Sequence, residues 1–423
     1  MFTYKKLKLK NGLRLILSPM KNTETVTFLA MVGAGSKYES DEIAGISHFL
    51  EHIFFKGTKK RPNTRAISEY LDAVGGEYNA FTSKEYTGFY AKVAVKYITR
   101  AFDFISDILQ NAKFPEAEIE KERYVILEEM KMHFDTPMIH ISELFEKLLY
   151  GEQAAGRLII GAEKSIMSLQ RQDFISYLKK MYQTGNMVLT VCGRFREKEI
   201  KNLAENYFNN LFKGKGGEKE KVVEKQKKPQ ILAQKKKTDQ THLCLGVRAY
   251  HHLDRRRWPL LLLSLILGGT MSSRLFINIR DKYGLAYYIR SSVENYTDSG
   301  YLVIQAGVDN QKISEAIKLI ILEIRKILKD GITKEEIKKA KENLKGKMLL
   351  ELETSDELAL FLTLQELLKK KIDTSRGIFK KIDAVTLLDI RKVAKDIFKN
   401  NKLNLAVIGP EADKDNLLKI LHF

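Results

Sequence analysis

The sequence predicts an α+β protein built from two similar domains, each a mostly antiparallel sheet with helices packed on it. The chain has 423 residues, more than one ordinary domain needs, and is 44% hydrophobic, which is enough for more than one core. The same order of predicted helices and strands also occurs twice along the chain. Such an internal repeat indicates duplication of one supersecondary unit.

The repeat is clearest near the end of each half. The stretches DFISYLKKMYQTGNMVLTVCG and DIRKVAKDIFKNNKLNLAVIG each predict an amphipathic helix, a polar turn and a buried strand that stops at glycine. Two helices with acidic starts, FPEAEIEKERYVILEEM and ITKEEIKKAKENLKGKM, also share one pattern. The strand pair EYNAFTSKEYTGFYAKVAV has its counterpart in VENYTDSGYLVIQAGV. We therefore expect both halves to have the same topology.

A polar stretch separates the two halves. Residues 213–230, KGKGGEKEKVVEKQKKPQ, combine glycines and charges with few large apolar side chains, which is typical of an exposed linker. This predicts one domain over residues 1–212, a linker over 213–230 and a second domain over 231–423.

The composition narrows the possible partners. A formal charge of +19 would suit a nucleic-acid-binding protein, but the lysines alternate with glutamates on predicted helices, which favours solvated helix faces. The longest apolar stretches, such as Trp258 to Gly269, are too short to span a membrane. The N-terminus has no sustained apolar region typical of an export signal. We expect a cytoplasmic protein without nucleic-acid or membrane partners, with Cys192 and Cys244 as core residues.

The strongest chemical signal is GISHFLEHIFFKG, residues 45–57. Read as a helix, it has an apolar stripe formed by Ile46, Phe49, Leu50, Ile53 and Phe54. On the adjoining face, His48 and His52 are one turn apart and can bind a single ion. A catalytic zinc ion takes three protein ligands and leaves a position open for water, and Glu51 could accept a proton from that water. H-x-x-E-H is the inverzincin pattern.

A third ligand is expected on the helix PEAEIEKERYVILEEMKM. Glu122 and Glu129 are seven residues apart and share one helix face, whereas Glu128 points about a quarter-turn away. One carboxylate could bind the metal while another orients an imidazole. Acidic residues on helices are often only solvated, and spacing alone does not choose between Glu128 and Glu129.

Taken together, HFLEHIFFKGTKKR and ERYVILEEM resemble the M16 metallopeptidases (pitrilysin and mitochondrial processing peptidase), specifically the bacterial M16B-type processing peptidases. The resemblance covers essentially the whole chain and implies the LuxS- and processing-peptidase-like metallohydrolase fold. It also implies that His48, His52 and Glu129 bind one zinc ion per chain. Glu51 would then be the general base, and Glu122 would support an imidazole.

Two further stretches resemble substrate-binding parts of that family. GGEYNAFTSKEYTGFY, residues 75–90, is similar to an edge strand beside the zinc, which implies that Asn79 and Ala80 contact a peptide added as a strand. LGGTMSSRLFINIRDKYGLAYYIRS resembles a glycine-rich loop followed by an R-x6-Y pair, here Arg280 and Tyr287, which bind substrate near the scissile carbonyl. The second half has no H-x-x-E-H, so only one zinc site per chain is expected.

The resemblance also implies an assembly. Single-chain members of the family form a clamshell of four such domains, whereas this chain has only two. A symmetric homodimer would supply four domains around an enclosed chamber, with Arg280 and Tyr287 acting on the partner's zinc site. A heterodimer with an inactive homologue is the other possibility. The expected function is zinc-dependent endopeptidase activity on extended, unstructured peptides. The alternatives are a non-catalytic structural subunit of the same fold and a basic nucleic-acid-binding protein.

Overall fold

The first half of the chain forms strands and helices in the predicted order. In this computed structural model, which describes residues 2–423, the strands are β1 (Lys5–Lys8), β2 (Arg14–Pro19), β3 (Thr25–Val32), β4 (Glu77–Thr82), β5 (Thr87–Ala94) and β6 (Met187–Gly193). The helices are α1 (Ile46–Ile53), α2 (Thr64–Asp72), α3 (Ile98–Asn111), α4 (Glu116–Asp135), α5 (Pro137–Tyr150), α6 (Glu163–Ser168), α7 (Arg171–Met181) and α8 (Glu197–Tyr207).

These strands form one six-stranded sheet in the order β1-β2-β6-β3-β5-β4. The pair β2 and β6 is parallel, and every other neighbouring pair is antiparallel. One face of the sheet packs on α1, α3, α7 and α8 around a large aromatic and aliphatic core. The terminal position of β4 leaves its outer side available to another extended chain.

The second half repeats this arrangement. Its strands are β7 (Gln230–Lys235), β8 (Thr241–Arg248), β9 (Ala286–Asn295), β10 (Gly300–Val308) and β11 (Leu403–Gly409). Its helices are α9 (Arg257–Gly268), a π-helical segment (Phe276–Asp281), α10 (Ile313–Asp330), α11 (Lys334–Glu351), α12 (Ser355–Lys369), α13 (Ser375–Asp383), α14 (Leu387–Ile397) and α15 (Lys414–Ile420).

The second sheet has the order β7-β11-β8-β10-β9 and again contains one parallel pair, β7 with β11. Each of its strands therefore corresponds to a strand of the first sheet, and β9 takes the edge position that β4 has there. The predicted α+β class and the duplicated, mostly antiparallel sheets are confirmed.

The two compact units do not coincide with the two halves of the chain, because each half contributes one helix to the unit formed mainly by the other half. Unit 1 comprises residues 1–130, 157–220 and 348–375, and unit 2 comprises residues 131–156, 221–347 and 376–423. Helix α5 thus belongs to the second sheet, where Ile141 and Phe145 join the core. Helix α12 belongs to the first sheet, where Leu358 and Leu362 are buried against β3 and β6. The ranges 1–212 and 231–423 predicted for the domains assign both helices differently.

The predicted linker contains no helix or strand before β7 begins at Gln230. Most of its side chains are exposed, but several of them make defined contacts. In unit 1, the Lys219 ammonium lies 3.1 Å from the Glu85 carboxylate. In unit 2, the Gln226 side-chain oxygen accepts hydrogen bonds from Asn404, at 3.0 Å, and Arg248, at 3.2 Å. The linker is therefore fastened to each unit by polar contacts.

Two smaller expectations concern apolar residues. Cys192 on β6 and Cys244 on β8 are buried free thiols, as expected for core residues. Among the helices of residues 2–423, none has both the length and the apolar character that crossing a membrane requires.

Candidate metal centre

Helix α1 is set in place by its apolar face. Ile46, Phe49, Leu50 and Ile53 are fully buried in the core of unit 1. The helix follows Gly45, which has a left-handed backbone conformation at φ 93°, where a side chain would be strained. The motif side chains therefore lie on the other face of the helix. They are only partly buried, and His48 and His52 keep 12% and 22% of their side-chain surface exposed.

Helix α4 presents the carboxylates. Ile119, Glu122 and Ile126 are buried along one side of the helix, so Glu129, one turn further, points the same way. Glu128 is exposed. Spacing left open whether Glu128 or Glu129 is the third ligand. The buried face of α4 favours Glu129, because Glu128 points to solvent.

The three predicted ligands come together in unit 1. The Nε2 atoms of His48 and His52 each lie 3.7 Å from Oε2 of Glu129, and the two imidazole rings are 4.6 Å apart between centroids. One ligand atom from each residue lies within 4.8 Å of the others, and no other such group occurs among residues 2–423. Tetrahedral zinc with ligands at about 2.0–2.1 Å needs ligand atoms about 3.4 Å apart. The two histidines and the glutamate therefore fit a zinc ion.

Glu122 fixes the orientation of one imidazole. Its Oε1 lies 2.8 Å from Nδ1 of His52, and its Oε2 lies 2.5 Å from the Lys56 ammonium. A proton on Nδ1 that is donated to Glu122 leaves the Nε2 lone pair for a metal. Burial opposes protonation of His52, but the hydrogen bond and charge of Glu122 outweigh it and raise the pKa of His52. The sequence predicted that Glu122 supports an imidazole, and the imidazole that it contacts is that of His52; the role itself stays a prediction.

Glu51 lies beside the ligands and contacts the edge strand. Thr82, the last residue of β4, donates a hydrogen bond of 2.5 Å to Oε2 of Glu51. Burial raises the pKa of Glu51, and the hydrogen bond from Thr82 lowers it again in part. A raised pKa makes a carboxylate a stronger base. Thr82 was not identified from the sequence, because nothing in its local pattern separates it from other strand threonines.

The edge strand β4 carries Asn79 and Ala80, as predicted. Asn79 is exposed, Ala80 is buried, and the Asn79 side-chain oxygen accepts a hydrogen bond of 2.9 Å from the Ala80 amide. This amide is consequently bonded to its own strand's side chain. A peptide that pairs with β4 at Ala80 would have to take the place of the Asn79 oxygen.

In unit 2, Arg280 and Tyr287 lie next to each other. Arg280 is in the π-helical segment, and its guanidinium carbon is 4.8 Å from the Phe276 ring centroid and 6.0 Å from that of Tyr287. Tyr287 is the second residue of the edge strand β9 and is 71% exposed. The two residues thus form an exposed pair with hydrogen-bond donors available to a ligand.

Sequence reasoning did not identify Glu143 as the shared partner of two other histidines. His133 and His140 lie 2.9 Å and 3.0 Å from the two oxygens of Glu143 through their Nδ1 atoms. Burial of Glu143 is outweighed by these two bonds, so the pKa of this carboxyl is lowered. Ten residues separate His133 from Glu143, across the turn between α4 and α5, so helix periodicity could not reveal the contact.

Comparison with known proteins agrees with this geometry. A family model described as insulinase, peptidase family M16, matches residues 15–163. A second one, described as the peptidase M16 inactive domain, matches residues 168–344. The chain belongs to peptidase family M16. The resemblance proposed from the sequence is therefore confirmed, and the matched ranges include the candidate metal ligands as well as Arg280 and Tyr287.

Similar M16 proteins extend over almost the whole chain. "Uncharacterized zinc protease YmxG" of Bacillus subtilis is 35% identical over 409 residues, which cover 97% of this chain and 99% of that protein. "Uncharacterized zinc protease ML0855" of Mycobacterium leprae is 33% identical over 412 residues, covering 97% of this chain and 92% of that protein.

Solved structures share the fold at lower identity. A protease from Helicobacter pylori matches with a TM-score of 0.90 and 23% identity, covering 97% of this chain and 100% of that chain. A peptidase M16 inactive domain protein from Pseudomonas fluorescens matches with a TM-score of 0.89 and 18% identity, covering 96% of this chain and 98% of that chain. A chain of Complex III2 from Candida albicans matches with a TM-score of 0.84 and 18% identity, covering 99% of this chain and 100% of that chain. At these identities the likeness concerns the fold alone.

The position of Glu129 leads to a test of the ligand set. We expect Glu129→Gln to weaken zinc binding at least about 100-fold, because it removes an anionic ligand, while Glu128→Gln leaves zinc affinity unchanged. Zinc content after dialysis and competition with a coloured chelator measure both variants. Equal zinc affinity of the two variants would contradict the assignment of Glu129.

Proposed function

We propose that this M16 protein is a zinc-dependent endopeptidase that cleaves extended, unstructured peptides. The observation that carries the proposal is the convergence of His48, His52 and Glu129 beside the carboxylate of Glu51, which is not one of the three ligands. Two histidines with one glutamate form a known ligand set of catalytic zinc in peptidases. The relatives named zinc proteases support the same activity.

The chain's own residues supply the remaining chemistry. Bound zinc would polarise the scissile carbonyl and make a water molecule more acidic. Glu51 accepts a proton from the attacking water as the water oxygen bonds to the carbonyl carbon. It then passes this proton to the amide nitrogen as the scissile C–N bond breaks, which releases an amine and a carboxylate. Glu122 holds His52 in the tautomer that keeps Nε2 directed at the metal.

The substrate is proposed to bind as an added strand. The edge strand β4 ends at Thr82, which bonds Glu51, so a peptide lying along β4 passes the general base. Main-chain hydrogen bonds to β4 select an extended conformation and read little of the side-chain sequence. Folded proteins lack such a free segment, and unstructured peptides are therefore the expected substrates.

A non-catalytic subunit of the same fold is the main alternative. Its support is the likeness of the fold to a chain of Complex III2. This chain has a complete set of three donors, a carboxylate of Glu122 bonded to His52, and the further carboxylate of Glu51 beside the ligands. A non-catalytic scaffold needs none of these features. Peptide hydrolysis by the purified zinc-loaded protein distinguishes the two functions.

Replacement of Glu51 tests the mechanism. Glu51→Gln should keep one zinc per chain but lower kcat/KM for a peptide about 10³-fold, because the amide cannot accept the proton. Peptide-library cleavage followed by mass spectrometry, together with metal analysis, measures both properties. Glu128→Gln, the same change on an exposed residue of α4, serves as the control and should retain activity. Full turnover by Glu51→Gln would eliminate Glu51 as the general base.

The hydrogen bond from Thr82 predicts a shift in pH dependence. This bond stabilises the ionised form of Glu51, so Thr82→Val should raise the pKa of Glu51. Activity requires the ionised carboxylate, and the acid limb of the kcat/KM profile should therefore move to higher pH. Thr82→Ser retains a hydroxyl and should keep the wild-type profile. An unchanged acid limb in Thr82→Val would show that Glu51 does not control it.

We also propose that two copies of the chain share their sites. Arg280 and Tyr287 are exposed donors suited to a developing oxyanion, yet they belong to unit 2 and the metal ligands to unit 1. In a two-fold dimer, unit 2 of one copy would face unit 1 of its partner and close a chamber around the peptide. A separate inactive homologue could take the partner's place.

Mixing two inactive variants tests the shared site. Glu51→Gln and Arg280→Ala should each lose peptide hydrolysis as pure dimers. After subunit exchange, half of the dimers are mixed and one of their two sites is intact, so about a quarter of wild-type activity should return. Native mass spectrometry verifies the mixed dimers. Mixed dimers without activity would contradict action across the interface, and a protein that stays monomeric would favour a different partner.

A further inference from the structure

A buried carboxylate lies at the beginning of the metal-binding helix. Glu39 is 4% exposed and precedes α1 in the chain. Its Oε2 accepts a hydrogen bond of 2.6 Å from the Gly45 amide, and its Oε1 accepts one of 2.9 Å from the Ser47 amide. These two amides are among those that the first turn of a helix leaves without an intrahelical partner. Glu39 therefore caps α1 from outside the helix.

The helix cannot obtain this cap in the usual way. The residue before its first turn is Gly45, which has no side chain. A Cβ atom there would lie 2.7 Å from the backbone oxygen of Ile160 and 2.9 Å from Cα of Gly161, so a serine or aspartate cap does not fit. The negative charge of Glu39 also suits the positive end of the helix dipole.

The capped turn contains the first metal ligand. His48 follows Ser47 directly and is the third residue of α1, whereas His52 lies one turn further. Both imidazoles must face Glu129 at once, as they do at 3.7 Å each. Unwinding of the first turn would move His48 away from His52 and Glu129. The bond between Ser47 and Glu39 thus acts one residue away from a ligand.

Glu39 is a costly choice for a purely structural cap. Burial raises the pKa of Glu39, although its hydrogen bonds with Ser47 and Gly45 and the charge of Arg157 act in the opposite direction. A buried carboxylate that is harder to ionise than in water makes the fold less stable than a well-packed neutral residue would at the same position. Its benefit is therefore expected in the geometry of the site rather than in the stability of the fold.

We propose that Glu39 is a positioning residue that holds His48 in register with the other two metal ligands. The inference rests on the proposed zinc site and adds to it a residue that touches neither metal nor substrate. Its main consequence is for zinc affinity, because a ligand that must first be ordered binds more weakly. Folding of the unit should depend on it much less.

Glu39→Gln provides the test, and Glu85→Gln is its matched control. The amide of glutamine can accept only one of the two backbone hydrogen bonds and carries no charge, so we expect zinc affinity to fall about tenfold. Glu85 is also buried in unit 1, but its carboxylate is paired with the ammonium groups of Lys37, at 3.0 Å, and Lys219, at 3.1 Å. Glu85→Gln should retain wild-type zinc affinity and lower the urea midpoint more than Glu39→Gln does.

Chelator competition measures zinc affinity, and urea denaturation of the metal-free proteins measures stability. Wild-type affinity in folded Glu39→Gln, or equal losses of zinc affinity in both variants, would overturn the proposal. If Glu39→Gln does not fold, Glu39→Asp takes its place, since it keeps the charge and is too short to reach both amides. It should show a smaller loss of affinity, and wild-type zinc affinity would again overturn the proposal. A wild-type protein that binds no zinc would instead refute the proposed function.

Discussion

The candidate metal centre depends on keeping α1 and α4 in one fixed relation. Two candidate ligands lie on α1 and the third on α4, so a small rotation of either helix would separate the three donor atoms. The apolar faces of both helices are buried in one core. The bond of 2.8 Å between His52 and Glu122 adds a polar link between them close to the metal site. Burial holds the helices together, and this bond sets the orientation of the imidazole.

Two long helices contain boundaries between the compact units. The first segment of unit 1 ends at Met130, one residue after Glu129, and α4 continues in unit 2 as far as Asp135. The same happens in the second half, where α11 crosses from Lys347 to Met348. Neither unit is thus an independent half of the chain.

The sequence predicted those features that local spacing encodes. Helix and strand periods were enough to predict the H-x-x-E-H turn, the face shared by Glu122 and Glu129, and the repeated strands. The edge position of β4 was expected only from the resemblance to the M16 family. The exchange of α5 and α12 was not predictable in this way, because an amphipathic pattern shows that a helix has a buried face without identifying the sheet it packs on. The contacts of Thr82 and Glu39 were not predictable either. Thr82 bonds Glu51, which is distant in sequence, and Glu39 bonds backbone amides, which any residue type could supply.

Comparison of the two halves explains why only one of them can hold a metal. Helices α4 and α11 align without gaps over their matching stretches, and the positions of Glu122 and Glu129 are taken by Ala340 and Lys347 in the second half. The buried position of Glu122 is thus filled by a small apolar residue, and that of the ligand by a cation. Helix α9 has no histidine either. The second copy retains the sheet and its open edge at β9, where Tyr287 is exposed. The two copies therefore differ in the side chains that they present: the candidate metal ligands are in the first half, and the exposed Tyr287 is in the second.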